Sequence, residues 1–216
     1  MQIRITLLVM KLERYIAATF LLVLGLWGRP AAADGPHSLT YRNVVVLQAN
    51  PILLRDQLSL DYQYRVYESV NPYLRNNYFE FALRPTISPG FAQVGGAFEF
   101  APASVVRIGV GAAAVNYFGS FGQLQGFPTQ DADYSDATMS AEREAEANYA
   151  ASGSMVTFSL RAQNRFGPII VRDLFELHRV SFALQAGDQY YYDPMLDILM
   201  PERGFAFTND ADILWI

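Results

Sequence analysis

The sequence predicts an all-β fold in which antiparallel strands run up and down and close into a barrel. Apolar and polar residues alternate over five segments, which is the period of a strand and not of a helix. Clusters of turn residues separate these segments. The polar side of each segment also carries arginines and acids next to small residues. Together these observations favour a barrel of about eight strands.

Residues 1–33 are predicted to be a secretory signal peptide. Arg4, Lys11 and Arg14 precede an apolar run over residues 16–27, and the small residues of segment 31–33 offer a cleavage site. The run is short for a helix that spans a membrane. An uncleaved anchor helix is the alternative.

Cleavage leaves a mature domain, residues 34–216. Of the 16 basic and 21 acidic residues of the chain, four and one lie before residue 34, so the domain keeps 12 and 20 and a net charge of −8. This balance excludes sequence-independent binding to nucleic acid, which needs a basic surface. The chain has 0 cysteines, so disulfides and thiolate metal sites are excluded, and no cofactor is expected.

The alternation is clearest over residues 57–66, where Leu58, Leu60 and Tyr62 face away from Ser59 and Asp61. It recurs in segments 78–87, 92–100, 104–116 and 155–163. Segments 42–48, 169–184 and 204–216 are strand-like but less regular. A long connection, residues 117–152, interrupts the series with glycines, an acidic stretch and a predicted helix over 141–150. We expect this acidic loop to lie outside the cell and to be the most mobile part of the chain, with a Gly-Phe-Pro run at 126–128 that resists regular structure.

The residue types on the two faces indicate a membrane barrel. A soluble sheet exposes its polar face to water, whereas a spanning barrel turns its apolar face to lipid and encloses charged and small residues. All basic residues after position 33 are arginine, and glycine and alanine occur in mid-strand. Tyrosines close to strand ends would form aromatic girdles at the membrane surfaces; these are Tyr73, Tyr78, Tyr117, Tyr190 and Tyr191.

In these features the chain from about residue 42 resembles bacterial outer-membrane β-barrel proteins. The resemblance rests on architecture, and it implies location in the outer membrane. It also implies contact with lipid and lipopolysaccharide and assembly by the barrel-assembly machinery. Such proteins usually end on an aromatic residue, whereas here Trp215 is followed by Ile216. Two interpretations stay open: a complete small barrel with an atypical end, or part of a larger barrel that continues.

A network of charged side chains is predicted inside the barrel. Each arginine of the set is in phase with small or polar neighbours, and on the lipid face it would cost about 2–4 kcal/mol. The network could act as a charged constriction in a pore or as a plug of structural ion pairs. Its members are Asp61, Arg65, Glu80, Arg84, Glu99, Arg107 and Arg161.

Two further groups are weaker candidates. His178 and Glu176 share a strand face and could serve a distant serine, but Ser181 lies on the opposite face, and a polar network is the simpler interpretation. Asp131, Asp133, Ser135 and Glu142 have the spacing of calcium ligands, although Asp136 replaces the required glycine. A solvated acidic surface is the simpler interpretation of that loop.

The expected function is therefore a non-enzymatic outer-membrane β-barrel protein with a structural, anchoring or narrow-pore role. A lipid-modifying enzyme that uses His178 and Glu176 is the first alternative. A soluble periplasmic binding protein with a lipocalin-like cup is the second.

Overall fold

The computed structural model describes residues 4–7, 21–27, 35–49 and 52–216. Its strands are antiparallel and only one helix is present among the described residues, so the predicted all-β class is confirmed. The strands are β1 (Arg4–Leu7), β2 (Leu21–Trp27), β3 (His37–Ala49), β4 (Ile52–Arg65), β5 (Tyr78–Leu83), β6 (Thr86–Ile87), β7 (Phe91–Ala103), β8 (Val106–Phe118), β9 (Gly126–Phe127), β10 (Ala150–Phe166), β11 (Ile169–Phe182), β12 (Tyr190–Asp193), β13 (Ile198–Pro201) and β14 (Arg203–Trp215); the helix is α1 (Asp136–Glu144).

Most of the main sheet is a meander in which each strand pairs with its neighbour in the chain, in the order β1-β2-β3-β4-β5-β7-β8-β10-β11-β14. The short β6 continues the line of β5 and pairs with β4 and β7. Counting β5 and β6 together, eight strands from β3 to β14 follow the predicted up-and-down order. β1 and β2 fall within the predicted signal peptide, most of which lies outside the described residues, so its cleavage stays a prediction.

The two faces of the meander follow from strict alternation. In β10, Val156, Phe158 and Leu160 are exposed, and the residues between them are partly buried. Register carries this phase across the sheet, since Val156 lies opposite Ala112 in β8. The face of Thr157 and Ser159 lines cavities whose walls reach from β4 to β11. We call it the concave face, and the opposite one the convex face.

The sheet is curled. Thr40 of β3 and Arg161 of β10, which are far apart in strand order, line the same cavity. At one margin β14 pairs with β11, and at the other β3 pairs with β2 as well as β4. Within the part of the chain that the structure describes, β14 and β3 do not pair with each other.

A second, three-stranded sheet of order β13-β12-β9 covers one end of the concave face. We call these three strands the cap. Tyr191 of β12 and Met200 of β13 are fully buried against the meander, together with Leu53, Phe91 and Tyr117. Gly153 permits this packing, because a Cβ atom there would overlap the ring of Phe182. The main apolar core of the described residues thus lies inside the curl, at the end where the long connections emerge.

Two details differ from the sequence predictions. Tyr117 and Tyr191, predicted for an aromatic girdle, are buried in the core, because Tyr117 is in phase with Arg107 and so points to the concave side. The connection after β8 is also ordered in its first half, where Leu124 is fully buried and Gln125 donates to the Met139 carbonyl at 3.0 Å.

The helix of this connection spans 136–144, five residues earlier than predicted. Just before the helix, the Asp133 carboxylate accepts the Ser135 amide at 2.9 Å and the Thr138 hydroxyl at 2.7 Å, whereas Ser135 at the N-cap makes no side-chain capping hydrogen bond. Within the described residues, no helix has the length and apolar character needed to cross a membrane.

Candidate functional site

The predicted charged side chains line a cavity of about 790 Å³ on the concave face, at the end opposite the cap. We call this cavity the charged cup. All seven members of the predicted network contribute to its lining: Asp61, Arg65, Glu80, Arg84, Glu99, Arg107 and Arg161. The alternation of strands β4, β5, β7, β8 and β10 brings them to one face, as the sequence pattern indicates. A smaller cavity of about 240 Å³ shares Arg84 and Glu99 with the cup and continues towards the cap.

Asp61 is the most deeply buried acid of the cup, with 2% of its surface exposed. Its Oδ2 accepts from Arg42 at 2.7 Å and 3.1 Å, and its Oδ1 accepts from the Ser59 hydroxyl at 2.7 Å. Arg84 lies 3.8 Å from the same carboxylate. A buried carboxylate needs such partners, because an unpaired charge in this position is costly. Asp61 is therefore fully engaged within the chain.

Glu80 and Glu99 lie directly opposite each other on β5 and β7. Like charges in this relation repel, and each carboxylate has its own donors. Glu80 accepts from Arg84 at 2.9 Å and from Gln63 at 2.6 Å. Glu99 accepts the Tyr78 hydroxyl at 2.5 Å, and Arg107 lies 3.7 Å from it.

Three arginines of the cup have no carboxylate within ion-pair distance among the described residues: Arg65, Arg75 and Arg161. Arg65 ends β4, and Arg75 belongs to the connection between β4 and β5. Arg161 is half-buried on β10, and its charge acts on the more distant Glu176. The cup thus holds cations whose charge the chain itself does not neutralise.

The sequence analysis missed two residues of the cup. Arg42 lies in β3, whose inward positions also include Val44 and Val46, so apolar residues occur on both faces and hide the strand phase. Arg75 lies in a connection, where no periodicity can assign a direction. Only the fold brings both side chains to the cavity.

His178 lies deep on the concave face with 2% exposure. Its Nδ1 is 3.0 Å from the Thr157 hydroxyl, its Nε2 is 3.4 Å from the Thr208 hydroxyl, and Glu176 is 3.9 Å from Nε2. Ser181 is exposed on the convex side, as the spacing predicts. Both ring nitrogens thus face hydroxyls of neighbouring strands, and the arrangement ties β10, β11 and β14 together.

The structure does not assemble the predicted calcium loop. Asp133 uses both carboxylate oxygens at the start of α1, and Glu142 lies in that helix, whereas Asp131 and Ser135 are exposed. Across the described residues, no group of three acidic or histidine side chains converges in a way that could hold a metal ion.

The chain matches no protein-family model, and no curated protein or solved structure is significantly similar to it.

Proposed function

We propose that the mature chain forms the wall of a transmembrane β-barrel in the bacterial outer membrane, with a structural or anchoring role and without enzymatic activity. The observation that carries the proposal is the contrast between the two faces of the meander. Large apolar side chains stand exposed on the convex face, and most of the charged side chains of the strands lie on the concave face.

The convex face carries exposed apolar side chains on every strand of the meander from β3 to β14. Phe207 is 71% exposed, Val94 57% and Phe81 56%. Aromatic rings form a ladder at one end, where Phe79 stacks on Phe100 with 4.7 Å between ring centroids. Further exposed members are Leu39, Tyr41, Leu60, Tyr62, Leu83, Ile87, Ile108, Val110, Val156, Phe158, Leu160, Leu177, Phe205 and Ile213.

A soluble protein rarely exposes an apolar patch of more than a few hundred Å². A lipocalin-like protein would turn polar side chains outwards, which is the reverse of the distribution described here. Lipid accounts for it, because a spanning barrel is apolar outside and polar inside. The charged residues on convex positions of the strands are few, and two of them, Arg179 and Arg203, are close to the capped end, where long side chains can reach lipid headgroups.

The cap favours an anchoring role over that of a pore. Tyr191, Met200, Leu53 and Tyr117 are 0–1% exposed and fill the concave side at one end of the sheet. A solute entering the charged cup would meet this apolar core. The cup is then a pocket with one closed end, in contrast to an open channel.

Membrane association is tested with the mature chain expressed with a signal sequence. We expect it in the outer-membrane fraction, resistant to extraction by carbonate, and running faster in a detergent gel without boiling than after boiling. Recovery as a soluble periplasmic protein, with identical migration before and after heating, would contradict the proposal.

Closure of the barrel is a separate expectation, because a spanning sheet must leave no unpaired backbone groups in lipid. β2 occupies the outer edge of β3 and belongs to the predicted signal peptide, so cleavage would free that edge. β3 and β14 run antiparallel, as the first and last strands of an eight-stranded meander do, so the freed edge could then pair with β14. A single cysteine at Thr40, combined with one at Ala206, Thr208 or Asp210, tests this in a chain without other cysteines. A disulfide within one chain indicates closure, one between chains indicates a second copy, and none in any register contradicts pairing of these two edges.

A further inference from the structure

We infer that the charged cup is a binding site for a small multivalent oxyanion, such as a compound with phosphate or carboxylate groups. This inference rests on the proposed function in one respect: the orientation of the barrel in the membrane determines the side on which the cup opens. The unneutralised arginines Arg65, Arg75 and Arg161 carry it, in a cavity that the rest of the chain leaves open.

The charge of the cup is opposite to that of the chain. The whole chain has a formal net charge of −5, whereas the cup is lined by six arginines and three acids. A cleft lined by one sign of charge concentrates ligands of the other sign. An acidic protein that directs half of the arginines of its mature domain into one cavity therefore presents a local attraction for anions.

The three acids of the cup do not compete for that attraction. Asp61 is held by Arg42 and Ser59, Glu80 by Arg84 and Gln63, and Glu99 by Tyr78. These bonds satisfy the carboxylates and leave Arg65, Arg75 and Arg161 with donors that point to no carboxylate of the described chain. If the cup were only a plug of structural ion pairs, the arginines would be matched by acids.

The chemistry of the donors selects the class of ligand. A guanidinium group offers several N–H donors in a planar fork that matches the oxygens of carboxylate and phosphate. About 790 Å³ is the volume of a pocket for a small organic molecule and exceeds what a single monovalent ion requires. Three spare cations correspond best to a ligand with two or more negative charges.

Isothermal titration of the folded protein in a neutral detergent with inorganic pyrophosphate tests the inference. We expect saturable binding that weakens as sodium chloride is raised. Replacing Arg65→Gln and Arg75→Gln together should weaken binding by roughly tenfold or more, since hydrogen bonds to charged groups are the strong ones. Arg161→Gln in addition should abolish it.

Arg143→Gln is the matched control, because Arg143 is an exposed arginine of α1 outside the cup and should leave binding unchanged. Arg65 and Arg75 are also exposed, with no side-chain hydrogen bond in the described structure, so their variants should fold, as heat-dependent gel migration verifies. Absence of pyrophosphate binding, or equal binding by the double variant and wild type, would overturn the inference.

A competition experiment identifies the source of the anion. If lipid A in mixed micelles displaces pyrophosphate, the cup takes a lipid headgroup; if it does not, the cup takes a free solute. Flotation of the same preparation with vesicles reports separately on membrane association. Loss of flotation with retained binding would contradict the proposed function alone, and the reverse would contradict the anion site alone.

Discussion

The two ends of the concave face are built by the same strands and have opposite chemistry. At the capped end β4 contributes Leu53 and β8 contributes Tyr117, both buried in apolar surroundings. At the other end the same strands contribute Asp61 and Arg107 to the charged cup. Within each strand the two positions differ by an even number, so both side chains point inwards. Alternation therefore determines the face on which a side chain lies, whereas the covering element determines whether apolar or charged side chains are favoured there.

The cap accounts for this difference between the two ends. Hairpin β12–β13 returns into the curl and buries Tyr191 and Met200 against the meander, so apolar side chains there are removed from water. No such element covers the cup within the described residues, and its charged groups are satisfied by one another or stay accessible. The effects of substitutions at the two ends should therefore differ in magnitude and in physical origin.

The largest effect is expected from Tyr191→Ala in the cap. Tyr191 is 0% exposed and its ring centroid is 4.5 Å from that of Phe182, so truncation leaves a cavity in the core. Loss of a buried aromatic side chain costs about 3–5 kcal/mol. Urea unfolding in detergent, followed by tyrosine fluorescence, should show a loss of this order, and Tyr134→Ala, at an exposed ring, should show little.

The variant Tyr191→Phe separates the contribution of the ring from that of the hydroxyl. The Tyr191 hydroxyl is buried without a hydrogen-bond partner in the described structure, so its removal takes away no hydrogen bond and relieves an unsatisfied group. We expect the variant to be as stable as wild type or more stable. A loss as large as that of Tyr191→Ala would show that the hydroxyl, and not packing, holds the cap.

The second effect separates the convex and concave faces. Phe158 and Ser159 are neighbours in β10 and point to opposite faces. Arg at position 158 would face lipid and cost about 2–4 kcal/mol at mid-membrane, whereas Arg at 159 would reach the polar cavity beside Glu176. The folded fraction after refolding into vesicles should fall for Phe158→Arg much more than for Ser159→Arg. Equal losses would mean that the convex face does not contact lipid.

The sequence could predict the meander and the direction of the network because both depend on period 2. The direction of three side chains, Arg84, Arg107 and Arg161, was predictable from their phase relative to apolar neighbours alone. The cap could not be predicted, since Tyr191 and Met200 lie in a connection of irregular pattern and acquire their role from distant contacts. The spacing of the acidic loop likewise does not reveal that both carboxylate oxygens of Asp133 accept hydrogen bonds from Ser135 and Thr138.

Arg84→Leu should give the third effect, within the charged cup. Arg84 lies 2.9 Å from Glu80 and 3.8 Å from Asp61, two buried acids that would each lose a partner. Breaking one charged hydrogen bond of this kind costs about 1.5–3 kcal/mol. Leu83→Ala, at a half-exposed convex position, and Arg172→Gln, from an exposed pair with Asp212, should each cost about 0–1 kcal/mol in the same unfolding assay. A loss for Arg84→Leu no larger than for Arg172→Gln would show that the cup contributes nothing to stability.

The smallest effect, a change in pH dependence, is expected at the buried Asp193 of the cap. Burial raises the pKa of Asp193 above its ordinary value of 3.8, although its Oδ1 accepts the amides of Met195 at 2.8 Å and Leu196 at 3.2 Å, which act in the opposite direction. Between 3.8 and the raised pKa the unfolded chain loses this proton and the folded chain keeps it. Stability from this group is therefore complete below pH 3.8 and is lost as pH rises through the folded pKa.

Asp193→Asn keeps an oxygen acceptor and cannot ionise, so the difference in unfolding midpoint between variant and wild type should grow with pH from 3.5 upwards and then level off. A difference that shrinks as pH rises would show that the folded protein stabilises Asp193 as a charged carboxylate, as it does the acids of the cup.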